Sequence, residues 1–431
     1  MRVGGAPAPG LRTDHYELTM VQAARQSGAA ERRCVFEVFA RSLPGRRRYG
    51  VVAGLGRLLD LVPGFRFDAA AVDFLRAVDA VDEATAEWLA SYQFRGSIDA
   101  YLEGEVYVPG SPVLVVEGTF AECVVLETLL LSVLNHDSAV ATAAARMVSA
   151  AGGRPCIEMG SRRTHEEAAV AAARAAYLAG FASTSNLAAG ARWGVPTTGT
   201  AAHAFTLVHA DEAAAFRAQV DALGPGTTLL VDTYDVEQGI RTAIDVAGPE
   251  LGAIRLDSGD LPTQARRARE LLDRLGATRT QIVVTSDLDE FAIAGLAAAP
   301  VDAYGVGTSV VTGSGAPTAG FVYKLVAREL DGAWHPVQKT SEGKHSVGGR
   351  KWAARQISHG VAVAEVLSVG RPIEPRDDLR PLLTACIRNG EVVADQTLDA
   401  AREHCQRAVA ELPEDAMKLS PGDPAFSAVR A

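Results

Sequence analysis

TLLVDT (228–233), GAIRLDSGD (252–260), QIVVTSD (281–287) and DAYGVGTS (302–309) decide how this chain is expected to fold. Each is a short apolar run that stops at acidic, hydroxyl or glycine residues. Working outward, PCIEMG (155–160), FAST (181–184) and VPTTGT (195–200) precede them and GFVYKLV (320–326) follows. Most of these runs give way to a stretch of helical character. THEEAAVAAARAAYLAG from Thr164 is acidic in its first turn and closes at Gly180. DLPTQARRARELLDRLG from Asp260 places Ala265, Ala268, Leu272 and Leu275 on one face and ends at Gly276. Strands alternating with helices predict a parallel sheet covered on its outer side, and eight candidate strands are the number a closed barrel requires. The expected fold class is therefore α/β, an irregular TIM-like α/β barrel over residues 151–325.

The polar residues support a barrel as well as the count does. Glu158, Ser183, Thr200, Asp232, Asp257, Asp287 and Thr308 all stand at the C-terminal end of their runs. In a parallel barrel those ends converge on one mouth, where active sites are built. The flanks read as a second, mixed α/β domain. Residues 13–150 form its N-terminal part, with isolated runs such as GEVYVPG and PVLVVEG, completed by part of 325–431. Residues 326–431 are expected as a C-terminal extension packing on it.

Composition narrows the classes. The chain has 431 residues, 48% of them hydrophobic and 22% charged, an ordinary globular profile with material for two domains. A formal net charge of −10 argues against nucleic acid as a partner. Five cysteines form no CxxC pair, which disfavours a disulfide framework or a cysteine zinc site and fits a reducing cytoplasm. The start, MRVGGAPAPGLRTDHYEL, lacks a signal-peptide core, and no uninterrupted apolar stretch reads as a membrane span. No partnership with a membrane is expected.

GxxxxGK[ST], a GxGxxG after a strand, HExxH and GxSxG are all absent from the sequence. What remains is chemistry suited to anionic substrates. GVGTS (305–309) could cradle a phosphate at a strand end, although such a turn is often only a turn. Asp232, Asp257 and Asp287 could orient a sugar or a hydrated Mg²⁺, or simply cap helices. His203 lies among small residues in GTAAHAF, either poised or packed into the wall. Arg162, Arg163 and Arg255 could clamp carboxylate or phosphate. RSLPGRRR (41–48) is a solvated loop or an arm for phosphates. His209 has no assigned role, His165 is expected in a helix's first turn, and His345 in a surface loop.

Taken together, these segments resemble the nicotinate phosphoribosyltransferase family. The matching stretches are TDHYELTM (13–20), FEVFARSLPGRRRYGVVAGL (36–55), EMGSRRTHEEA (158–168), GFASTSNLAAG (180–190), GTAAHAF (199–205), LLVDTYDVEQGI (229–240), IRLDSGDL (254–261), TSDLDE (285–290) and YGVGTSV (304–310). They run in family order from residue 13 to about 325 and fade beyond Val326. The resemblance implies the type II phosphoribosyltransferase fold and a homodimer in which each active site borrows residues from the partner. Asp14 and Tyr16 match positions where a partner tyrosine stacks on the pyridine ring, and Arg41 matches a partner arginine near the nucleotide phosphates. His203 matches a histidine phosphorylated by ATP, with Asp232 orienting it. Arg162 and Arg255 match ring-pocket arginines, Asp257 and Asp287 ribose neighbours, and Ser185 belongs to the same substrate-binding set. Gly307 and Thr308 match the 5′-phosphate cradle. Asn186 stands where nicotinamide-using relatives carry aspartate, and a neutral residue there favours an anionic carboxylate substrate. Met159 departs from the usual phenylalanine but can still pack on a ring.

The implied reaction joins nicotinate to 5-phosphoribosyl 1-pyrophosphate, with ATP as co-substrate and Mg²⁺ as cofactor, giving nicotinate mononucleotide and pyrophosphate in NAD biosynthesis. No resident metal site is expected. The alternatives are a nicotinamide or quinolinate phosphoribosyltransferase, and a non-catalytic pyridine-nucleotide binding homologue.

Overall fold

A computed structural model describes residues 8–339 and 347–430. His345 lies outside the described residues. The chain folds as two compact units, one from residues up to 139 and from 316 onward, the other Val140–Gly315. Sequence reading placed the divisions at 150/151 and 325/326. The units divide at 139/140, inside the helix Glu127–Ala151 that also contains the expected 150/151, and at 315/316.

In the second unit six parallel strands form one sheet: β1 (Cys156–Glu158), β2 (Ser183–Thr184), β3 (Thr228–Leu230), β4 (Ala253–Leu256), β5 (Gln281–Val284) and β6 (Ala303–Val306), in the order β2-β1-β6-β5-β4-β3. The first strand pairs with the last, Tyr304 opposite Cys156 and Val306 opposite Glu158, so the sheet curls as in a barrel. The ring stays open between β2 and β3. Two of the eight expected barrel strands are therefore corrected. VPTTGT makes only an isolated parallel bridge, Thr197 to Thr184, because its proline has no N–H for a ladder. GFVYKLV belongs to the other unit, where strand Phe321–Leu330 pairs antiparallel with Arg33–Ala40.

Both expected helices form, as Glu166–Leu178 and Leu261–Arg274. Asp260 caps the latter by accepting from the Thr263 N–H, and its buried face is Ala265, Ala268, Leu271 and Leu272. Leu275 is only half-buried at the C-cap. His165 is the N-cap of the former rather than a first-turn residue.

The first unit centres on a seven-stranded antiparallel sheet. Its order is Ala333–Pro336, Phe321–Leu330, Arg33–Ala40, Leu114–Thr119, Ser97–Tyr101, Leu383–Arg388, Glu391–Val392. The C-terminal flank thus supplies strands to the N-terminal sheet itself. One helical run, Phe120–Ala151, reaches the length and mean apolarity of a membrane span, but it is interrupted by charged residues and 67% of its most apolar part is buried in the protein, as a core helix is.

Charge is buried in this unit, and it is paired. Lys351 Nζ donates to both oxygens of Glu37 at 2.6 and 2.7 Å. Glu105 receives Arg380 at 2.6 Å and His404 at 3.0 Å, with Arg355 at 3.5 Å. Burial opposes ionisation of Glu105, but the His404 hydrogen bond and the two guanidiniums outweigh it and bring the carboxyl down to about 2. An unfolded glutamate titrates at about 4.3, so the stability this group contributes is whole above that pH and is lost as pH falls toward 2. Replacing Glu105→Gln leaves the buried Arg355 with Glu365 and the half-buried Arg380 with Glu411 as their remaining carboxylates, and urea unfolding at pH 7 should show a loss of about 3 kcal/mol. Between pH 5 and 3 the variant should lose less further stability than the wild type.

Candidate active site

The C-terminal ends of the parallel strands surround a cavity of about 590 Å³. Met159, Arg162 and Arg163 follow β1, Ser185 follows β2, and Arg255 and Asp257 come from β4. Thr285, Ser286 and Asp287 follow β5; Gly305, Gly307 and Thr308 come from β6 and its end; residues 198–203 fill the gap in the ring. Of the polar strand ends singled out in the sequence, Thr200, Asp257, Asp287 and Thr308 line this cavity. Glu158 is buried, accepting from the Gly160 N–H and the Thr184 hydroxyl, and burial pushes its carboxyl up. It braces the loop after β1.

Arg255 is the hub. Its Nε donates to Thr285 Oγ1 at 2.9 Å, Nη1 to Thr200 Oγ1 at 3.1 Å and to the Ala201 carbonyl at 3.3 Å, and Nη2 to Asp257 Oδ1 at 2.9 Å. One guanidinium thus joins β4 to the end of β5 and to the gap-filling loop that carries His203. Burial works against ionised Asp257, but the Thr285 hydrogen bond and the Arg255 charge prevail and hold its carboxyl below the usual aspartate value. Asp257 is an anion at neutral pH.

His203 opens the short helix His203–Leu207 and is 40% exposed at its side chain. Its Nδ1 meets Thr233 Oγ1 at 3.1 Å. Its Nε2 faces two carboxylates beyond hydrogen-bond length, Asp232 Oδ1 at 3.9 Å and Asp257 Oδ2 at 3.8 Å. Asp232 Oδ2 is taken by the Asp257 N–H and the Ser258 hydroxyl, both at 2.8 Å, while Oδ1 is buried without a partner. The hydroxyl that holds the ring, Thr233, was missed in sequence reading although it directly follows Asp232.

Two further features mark the site. Ser286 and Asp287 have φ of 107° and 26°, strained for non-glycine residues, and both line the cavity. Gly305 lacks a side chain because a Cβ there would stand 2.4 Å from Thr285 Cγ2 and 2.8 Å from Met159 Sδ. Thr285, Ser286, Thr198 and Gly199 were not picked out as site residues, while Gly305 was read only as part of the GVGTS turn. The strand-end rule finds Thr285 when applied to the first polar residue after QIVV instead of the last.

Asn186 stands next to Ser185 but outside the cavity lining. Its Oδ1 caps the helix Leu187–Trp193 through the Ala189 N–H at 2.9 Å, and its Nδ2 donates to Ser161 at 3.0 Å. Asp14, Tyr16 and Arg41 belong to the first unit and are exposed. Asp14 is the N-cap residue of helix His15–Ser27. Partial burial and the Glu127 carboxylate push the Tyr16 phenol up to about 12, so it stays neutral. His209 Nδ1 donates to the Phe205 carbonyl, 2.7 Å away, and its ring packs edge-on against the Phe205 ring.

Residues 11–135 match the family described as nicotinate phosphoribosyltransferase (NAPRTase) N-terminal domain. The nicotinate phosphoribosyltransferase pncB1 of Mycobacterium tuberculosis is 62% identical over 430 residues, covering 97% of this chain and 94% of that protein. Among solved structures, human nicotinic acid phosphoribosyltransferase superposes with a TM-score of 0.83 at 27% identity, covering 97% of each chain. The nicotinate-nucleotide pyrophosphorylase of Pyrococcus furiosus does so with a TM-score of 0.79 at 25% identity, covering 95% of this chain and 99% of that one. By sequence over nearly its whole length and by fold, the chain belongs to the nicotinate phosphoribosyltransferase family.

Proposed function

We propose that this chain transfers the phosphoribosyl group of 5-phosphoribosyl 1-pyrophosphate to nicotinate, and that ATP hydrolysis is coupled to the transfer through phosphorylation of His203. The pyridine nitrogen attacks C1 of the ribose as the bond to pyrophosphate breaks, giving nicotinate mononucleotide and pyrophosphate. The nucleophile belongs to the substrate, so the protein contributes positioning and charge stabilisation. The observation that carries the reading is the convergence of Arg255, Asp257 and His203 on one cavity, with Asp232 behind the histidine.

Arg162 and Arg163, exposed on the cavity wall, supply cationic donors for a carboxylate or phosphate, with Met159 beside them as the surface for the ring. Asp257 and Asp287 are the ribose acceptors, and the Gly307–Thr308 turn receives the 5′-phosphate. In the coupled step a ring nitrogen of His203 attacks the γ-phosphorus of ATP, ADP leaves, and water later releases phosphate. Thr233 fixes the ring while the carboxylates of Asp232 and Asp257 favour the cationic imidazole that phosphorylation produces.

No group of three or more His, Cys, Asp or Glu gathers as a metal site among the described residues. A magnesium ion would therefore take most ligands from substrate phosphates and water. The buried, unpartnered Oδ1 of Asp232 and the carboxylate of Asp257 are the protein oxygens that fit it. When bound, the ion supplies countercharge for the phosphates. Five buried free cysteines support a reducing, cytoplasmic setting. The exposed Tyr16 and Arg41 support a homodimer in which these residues serve the partner's site.

Nicotinate, nicotinamide and quinolinate offered separately, with donor and magnesium and with or without ATP, should give turnover with nicotinate that ATP enhances. Turnover with quinolinate or nicotinamide alone would overturn the assignment. Asn186→Asp keeps a good helix cap, so melting should shift little while kcat/KM for nicotinate falls about tenfold or more. An unchanged ratio of nicotinate to nicotinamide use would remove Asn186 from specificity. Mixing Tyr16→Ala and His203→Ala chains should restore activity in heterodimers, since one hybrid site is intact; no recovery would place each site within one chain.

A further inference from the structure

The motif RSLPGRRR (41–48) leaves the end of strand Arg33–Ala40 in a sharply bent path. Gly45 and Arg46 have φ of 63° and 54°, and arginine enters the left-handed region only when its surroundings impose it. The surroundings here are the last residues of the chain. The Gly422 N–H donates to the Arg46 carbonyl at 3.0 Å, and the Ala425 N–H donates to the Arg48 carbonyl at 2.7 Å. Between those two bonds the Arg48 guanidinium lies against Gly422. A Cβ on that glycine would stand 2.2 Å from its central carbon and 2.3 Å from both terminal nitrogens. Gly422 does not have a positive φ, so what requires glycine there is the space Arg48 fills.

The C-terminal segment is itself anchored independently of the arm. Phe426 is buried, with the Arg355 guanidinium 4.4 Å over its ring, and Ser427–Arg430 pairs parallel with Val361–Val369. Arg46 is treated differently from Arg48. Its side chain is 74% exposed, and its nearest acid, Asp423 at 4.0 Å, is 98% exposed and so screens it weakly. One arginine is locked down and its neighbour is presented.

We infer that residues 421–426 are a positioning device for the basic arm, using Arg48 as the anchor and presenting Arg46 to the phosphates of the phosphoribosyl donor. The inference rests on the reading above, in which Arg41 of the same arm serves the active site of a neighbouring copy of this chain, and extends it to Arg46 and the donor's phosphates. Neither Gly422 nor Ala425 touches substrate in this account. They act through the arm's conformation.

The test uses the full-length enzyme. Gly422→Val displaces the Arg48 guanidinium, and Ala425→Pro removes the donor to the Arg48 carbonyl. Each should raise KM for 5-phosphoribosyl 1-pyrophosphate about tenfold while KM for nicotinate and the melting temperature stay near wild type. Tryptic cleavage after Arg46 or Arg47 should quicken. In an Arg48→Ala background, Gly422→Val should add little, because the group it displaces is gone. A donor KM within twofold of wild type in both variants, with cleavage quickened, would overturn the positioning role. Equal loss toward both substrates with a lowered melting temperature would reduce the segment to a structural support and also overturn it. Arg46→Ala and Arg41→Ala separate the premise: if neither changes donor KM while nicotinate is still turned over, the arm does not bind the donor and the inference fails at that point.

Discussion

The guanidinium of Arg255 is the constraint on which the site depends. An arginine offers five N–H groups in a rigid fork, and here four bonds tie β4 to Thr285, to Asp257 and to the Thr200–Ala201 segment. That segment fills the one opening in the parallel ring and leads directly into His203. Without the fork, Thr200 and Ala201 would lose their bonds to β4. The same bonds leave a single Nη2 hydrogen free, so Arg162 and Arg163 must carry most of the positive charge toward a ligand.

The ring is open because of what stands between β2 and β3. Pro196 cannot donate to a ladder, yet its carbonyl accepts from the Thr184 N–H at 2.9 Å, and the Thr198 N–H returns a bond to Thr184 at 3.0 Å. Local pairing fixes one end of the segment and Arg255 fixes the other. The histidine therefore sits on an irregular loop that is restrained at both sides, with Thr233 as the third point of contact. Beside it, Asp232 keeps a buried oxygen without a partner. A buried, unpaired acceptor is costly, and under the proposed mechanism a cation accompanying phosphate would give that cost a use.

Much of this was legible in the sequence. Short apolar runs closing on polar residues correctly located six strands and the face that carries the cavity. The misassignment of GFVYKLV has a physical cause. In Phe321–Leu330 buried and half-buried residues alternate at the start, Phe321 and Tyr323 in, Val322 and Lys324 partly out, which is the pattern of an antiparallel strand with one covered face. Lys324 within the run was the available signal. Other features depend on contacts no local pattern announces: Lys351 meets Glu37 across 314 residues, and Gly422 meets Arg48 from the far end of the chain. Asn186 was read for its chemistry toward substrate, while its cap to Ala189 follows from ordinary helix-start rules.

The central claim is that His203 accepts phosphate, and labelling measures it most directly. Incubation with γ-labelled ATP and magnesium should label the protein with a phosphoramidate, stable in alkali and lost in acid. The label should vanish in His203→Ala, fall in Asp232→Asn, and persist in His209→Ala, while His203→Ala retains a slow transfer that does not need ATP. An acid-stable label, or labelling that survives in His203→Ala, would contradict the account.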